Sequence, residues 1–230
     1  MHSTPENLNV IYEDNHIIVI NKRSGDIVQG DKTGDLPLSE IVKKYIATKY
    51  NKPGAVYLGV VHRLDRPTSG IVIFARTSKA LSRLNKMFAE RQTQKTYWAL
   101  VKNAPPAEQG TLTHYLKRNP KQNKSYAHKN EVPDSKKAIL DYRVIKKLKT
   151  FFLLEIDLHT GRHHQIRAQL TAIGCPIKGD LKYGFGRSNK GGSISLLSRK
   201  LTLTHPVKKE EMSFIADIPE GDAVWKACVD

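Results

Sequence analysis

His62-Arg63-Leu64-Asp65-Arg66-Pro67-Thr68-Ser69-Gly70, running on into Ile71-Val72-Ile73-Phe74-Ala75-Arg76, sets a charged turn directly against an apolar run. The apolar run, bounded by turn residues, reads as a buried strand. Ahead of it a carboxylate sits between two arginines, just before a rigid Pro and a turn-forming Thr-Ser-Gly. Neighbouring cations favour the ionised form of Asp65. An ionised Asp held on a short loop can serve as a nucleophile or a general base. The same spacing also suits a structural ion pair at a strand end, since arginine–aspartate pairs are common at turns.

Outward from this stretch the pattern is of short strands broken by turns and a few helices. Upstream, Asn9 to Ile20 reads as a strand, a turn at Glu13-Asp14-Asn15, and an apolar strand at Ile17 to Ile20. Leu38, Ile41, Val42, Tyr45 and Ile46 recur at helical spacing after Pro37 and predict a helix to about Thr48. Downstream, Ser78 is placed to cap a helix carrying Leu81, Leu84, Met87 and Phe88. Thr96 to Val101 and Phe151 to Leu158 are strand candidates, and between them Ala104 to Lys137 is polar and proline-bearing. That segment reads as a long excursion from the sheet, a solvated loop or one lying along a phosphate backbone. Thr160-Gly161 opens a further helix with Ile166, Leu170 and Ile173 on one face, and Gly174 stops it. A glycine-rich loop from Tyr183 to Gly192 precedes strands near Leu196 to Leu203 and Met212 to Ala216. Strands outnumber helices without regular alternation. The expectation is an α+β fold, a mixed and mainly antiparallel sheet with flanking helices and loops, in one domain over residues 1–230.

Charge narrows the partner. Thirty-eight Lys and Arg against 22 Asp and Glu leave +16 on 230 residues. Such a surplus suits a polyanion, because neutralising phosphates releases condensed counterions. The two cysteines, Cys175 and Cys228, make no disulfide framework and fit a reducing cytosol. No basic-then-apolar leader and no run of about 20 apolar residues is visible, so a cytoplasmic protein is expected, with no membrane partner. His163-His164 has no companion ligands at metal spacing, and helix-start hydrogen bonding is the better reading of the pair.

The segment His62 to Arg76 resembles the signature of RluA-type pseudouridine synthases: His-Arg-Leu-Asp, a basic residue, any residue, Thr-Ser-Gly, then an apolar strand. His62 points to this branch, since other pseudouridine synthase families carry a different residue there. Ile11-Tyr12-Glu13-Asp14 to Asn21-Lys22 is similar to the family's opening strand pair, and Lys95-Thr96-Tyr97 to its tyrosine segment. Thr160-Gly161-Arg162-His163-His164-Gln165-Ile166-Arg167, with Gly174-Cys175-Pro176-Ile177 and Gly179-Asp180, resembles its third motif. In the last motif Leu196 keeps the apolar residue, while Leu197 and Ser198 stand where His and Ala are common. Asp180 itself reads as a turn residue.

The resemblance implies an isomerase of structured RNA, ribosomal or transfer, that needs neither cofactor nor metal and does not act on DNA. It implies that Asp65 attacks or deprotonates the ribose of the target uridine, so that the freed base turns and rejoins through C5. Arg63 would occupy the duplex when the target is extruded, and Tyr97 would pack on the base. Arg167 would pair with the catalytic aspartate, and Leu196 would pack against the uracil. The family's small N-terminal S4 module is expected to be absent, because the first strand already begins near Asn9. Two other readings stay in view. A non-catalytic RNA-binding or ribosome-associated protein would not need an aspartate among phosphates. A nuclease or glycosidase would bring a second carboxylate or a metal set.

Overall fold

A computed structural model describes residues 2–31 and 33–229, which form two compact units. The first comprises Met1–Gln94 and Ser198–Pro219, the second Lys95–Leu197 and Glu220–Asp230.

In the first unit, β1 (Val10–Glu13) and β2 (Ile17–Lys22) form the expected hairpin. β2 pairs antiparallel with β4 (Ser69–Ala75), Ile20 opposite Val72, and the short β3 (Gly59–Val60) pairs with the end of β4. Every residue of β4 is buried, which is why its sequence is continuously apolar rather than alternating. The unit is completed by β10 (Leu196–Thr204), whose residues from Ser198 onward belong here, and by β11 (Glu211–Ile215) antiparallel to it. Helix α1 (Leu38–Lys49) lays Leu38, Val42 and Ile46 against Ile18, Ile20, Val72 and Phe74. Each such buried side chain contributes roughly 1.5–3 kcal/mol. Helix α2 (Ser78–Ala89) starts one residue earlier than the sequence suggests: the Thr77 hydroxyl, not Ser78, accepts the Ala80 amide at 3.2 Å. Gly70 explains the Thr-Ser-Gly turn. It has φ +109°, and a Cβ there would lie 2.3 Å from the Ser198 carbonyl oxygen.

In the second unit the strand order is β5 (Gln94–Val101), β9 (Phe152–Leu158), β8 (Lys136–Lys147), β6 (Gln109–Asn119), β7 (Lys124–His128), each neighbour pair antiparallel. The polar stretch Ala104 to Lys137 is therefore largely sheet, not an excursion from it. Its signal was the alternation of Leu112, His114 and Leu116, all buried, with more exposed neighbours. Helix α3 (Gln165–Ala172) begins later than Thr160. The Thr160 hydroxyl accepts the Ile139 amide and donates to Gln165 Oε1, tying the helix entry to β8. Gly174 closes α3 with φ +77°, the amides of Gly174 and Cys175 bonding back to Thr171 and Leu170. A terminal helix, α4 (Ala223–Val229), buries Trp225 and Cys228. Flanking helices on an antiparallel sheet agree with the fold class expected.

Candidate active site

The loop carrying Asp65 is fixed from beneath by Lys22. This lysine is 1% exposed, and its ammonium donates to the carbonyls of Arg23 (2.9 Å), Asp26 (2.9 Å) and Arg66 (3.2 Å). Burial pushes it down to about 7, against the pull of Asp26 and Asp65, while Arg66 adds to the lowering. The Gly25 amide also donates to the Arg66 carbonyl at 2.8 Å, and the Ser24 hydroxyl to Pro67 at 3.0 Å. Within the loop, the Thr68 amide bonds the Asp65 carbonyl at 3.0 Å. His62 braces the other end: its Nε2 accepts the Ile73 amide, and its ring stacks on Phe88 of α2 at 4.9 Å.

The side chains flanking Asp65 divide the labour. Arg66 turns to Asp35 at 2.6 Å and to the Thr33 hydroxyl at 2.8 Å, in a solvent-exposed cluster. Arg63 is exposed and Asp65 half-buried. Arg66 thus has a second carboxylate partner in Asp35, and a further cation, the buried Lys22, lies beneath the loop. Spacing could not reveal Lys22, which lies forty-odd residues upstream.

The remaining candidates lie in the second unit. Tyr97 is buried on β5 opposite Ile156, and Leu196 is buried at the start of β10. Arg167, on α3, is 4% exposed, and its Nε and Nη2 donate to Asp180 Oδ2 (2.7 Å) and Oδ1 (2.9 Å). Asp180 is 1% exposed. It is a bidentate partner of Arg167, not merely the turn residue its glycine neighbour suggested. The two histidines ahead of α3 also differ from expectation. They stack on each other at 3.8 Å, and His164, although it is the N-cap residue of α3, makes no side-chain cap hydrogen bond. His163 Nδ1 meets the Ser125 hydroxyl at 2.8 Å and His164 Nδ1 the Tyr183 hydroxyl at 3.0 Å.

A fixed carboxylate loop beside an exposed arginine suits attack on a nucleotide, and residues 16–172 match the RNA pseudouridylate synthase family. The chain belongs to that family. Its members are isomerases acting on RNA, and the match is of the RluA type that the loop resembles. The chain is 35% identical to an uncharacterized RNA pseudouridine synthase of Chlorobaculum parvum, over 93% of this chain and 71% of the relative. It is 31% identical to a ribosomal large subunit pseudouridine synthase D of Zymomonas mobilis, over 95% and 72%. The structure of human RNA pseudouridylate synthase domain containing 4 superposes with a TM-score of 0.76 at 22% identity, covering 92% of this chain and 89% of that one. That likeness is one of fold. Among the described residues, no helix is long and apolar enough to cross a membrane.

Proposed function

We propose that this pseudouridine synthase converts one uridine of a structured RNA to pseudouridine through Asp65, in the cytoplasm and without cofactor or metal. The observation that carries the proposal is the fixing of the Asp65 loop through its backbone. Three donors on the Lys22–Gly25 segment, the Lys22 ammonium, the Ser24 hydroxyl and the Gly25 amide, hold the Arg66 and Pro67 carbonyls, so the carboxylate reaches the substrate already oriented. In this reading the chain works as one catalytic domain over residues 1–230. Asp65 attacks or deprotonates the ribose and the glycosidic bond breaks. Tyr97 and Leu196 pack against the freed uracil as it turns, C5 bonds to the ribose carbon, and the C5 proton leaves. Arg167 supplies the cationic partner of Asp65. Arg63, exposed beside it, fills the gap left in the stack by the extruded nucleotide.

Relatives named for the large ribosomal subunit make ribosomal RNA the first substrate to assay and transfer RNA the second. The surplus of +16 supports a polyanionic substrate. The deciding experiment is release of tritium from C5-labelled uridine in each RNA. Release accompanied by pseudouridine in the digested product is expected. Tight binding with no release would favour a non-catalytic RNA-binding protein on the same fold. Strand cleavage or free uracil would favour a nuclease or glycosidase. Arg63→Ala should lose most activity on a target within a stem and much less on an unstructured strand, where little stacking must be broken. Equal losses on both would leave Arg63 without a flipping role.

A further inference from the structure

Tyr183 is used twice, once through its hydroxyl and once through its ring. It ends the 3-10 turn Leu181–Tyr183, entered from Asp180, and is 3% exposed. Its hydroxyl accepts the Ser125 amide at 2.8 Å and donates to the Ser125 carbonyl at 3.1 Å. His164 Nδ1 lies 3.0 Å from the same oxygen, within hydrogen-bond distance. Ser125 lies on β7, the last strand in its unit's order, and Tyr183 takes up both of its backbone groups as a neighbouring strand would. One residue earlier, Lys182 donates to the carbonyls of Gln122 and Asn123 at the tip of the β6–β7 hairpin. The turn therefore grips the hairpin at its edge and at its tip.

The ring of Tyr183 faces cations. The Arg167 guanidinium carbon and the Lys124 ammonium each lie 4.9 Å from its centroid. Arg167 has its countercharge in Asp180, three residues before Tyr183, whereas Lys124 makes no ion pair among the described residues. Lys124 shares the hairpin with Lys117, Arg118 and Lys121. A phosphate seated on that hairpin would supply what Lys124 lacks, and the same ring would feel it on its way to Arg167.

We propose that Tyr183 is a positioning residue that couples RNA contact at the β6–β7 hairpin to the orientation of Arg167. The inference rests on the proposed role of Arg167 beside Asp65. Its two halves separate by substitution. Tyr183→Phe keeps the ring and removes the latch. Amides 118–126 should exchange faster with deuterium, and RNA affinity should fall about three- to tenfold, as for a lost buried hydrogen bond. The larger loss should be in affinity rather than in single-turnover rate at saturating RNA. Tyr183→Leu also removes the ring, and its saturated rate should fall about tenfold below that of Tyr183→Phe. Wild-type exchange and affinity in Tyr183→Phe would overturn the latch, and equal saturated rates in the two variants would overturn the support of Arg167.

Should Tyr183→Leu fail to fold, the Arg167 Nε resonance settles the matter without it. An RNA stem-loop should shift that resonance in the wild type and shift it less in Tyr183→Phe, and equal shifts would overturn the coupling. Exchange, affinity and resonance need no turnover. A wild-type protein that releases no C5 tritium would therefore sink the proposed function while these arms still judge the latch.

Discussion

The Asp65 loop and the Arg167 side chain are both fixed by buried ionic groups, in opposite ways. Lys22 holds the loop through backbone carbonyls, which any sequence supplies. Asp180 holds Arg167 side chain to side chain, with the Tyr183 ring beside it, so the identity of every partner matters. The first arrangement fixes a stretch of main chain and leaves its side chains free for other tasks, as Arg66 shows by pairing with Asp35. The second fixes the plane of one guanidinium. The energetics differ accordingly. Removing Lys22 leaves buried acceptors short of a donor but also relieves the desolvation of its ammonium. Removing the charge of Asp180 leaves a buried guanidinium that cannot discharge.

The largest expected effect tests whether the fixed loop serves catalysis at all. Asp65→Asn should lower single-turnover pseudouridine formation by at least about a hundredfold, since an amide is neither nucleophile nor base. RNA affinity should stay within about twofold, because the shape of the side chain is kept and a charge repelling phosphate is removed. A variant retaining more than about a hundredth of the rate would mean that another group is the essential one.

Next comes the contrast itself. Asp180→Asn should destabilise the protein by about 3 kcal/mol, the loss expected when one partner of a buried pair is neutralised. Lys22→Met should cost less, about 2 kcal/mol, because lost donation to carbonyls is partly offset by a cheaper burial. Urea titrations of the two variants read this directly. If Lys22→Met proves the more damaging, backbone anchoring is the stronger of the two devices and the contrast is reversed.

The smallest effect concerns a polar knot of the first unit that is part of neither device. Burial would push the Asp14 carboxyl up, but the His16 and Ile17 amides, the Tyr12 hydroxyl and nearby His205 overcome this and hold it at about 2. A carboxylate lowered by folding stabilises the native state above its unfolded value of roughly 4, and that contribution is lost as pH falls through its folded value. Asp14→Asn should therefore lower Tm at neutral pH and flatten its fall between about pH 4 and pH 2. An acid limb as steep as the wild type's would assign the loss to other carboxylates.

Much of this was legible in the chain. The run Ile71 to Ala75 announced a buried strand, Leu38 to Ile46 a helix, and Gly174 a helix end, because each signal is local and has one period. The motifs around Asp65, Tyr97 and Arg167 carried the family. Less was legible where the local signal was weak or misplaced. Ala104 to Lys137 hid two strands behind prolines and charges, since β6 and β7 bury only one face and their polar residues resemble those of a loop. Ser78 outshone Thr77 as a cap although both carry a hydroxyl, and only the backbone angle at Thr77, φ −140°, assigns the role.

What the sequence determined by itself was the candidate loop around Asp65, the apolar runs of its buried strands and the surplus of positive charge. These depend on residue types and on spacings of a few positions. What only the tertiary structure decided was partnership. Lys22 meets the carbonyl of Arg66, Arg167 meets Asp180 and Tyr183 meets Ser125 across separations of 44, 13 and 58 residues. A buried charge or hydroxyl must find a partner, so the sequence says that one exists. Which one it finds is set by the packing of strands and turns that bring distant positions into the same few ångströms, and no local pattern encodes that distance.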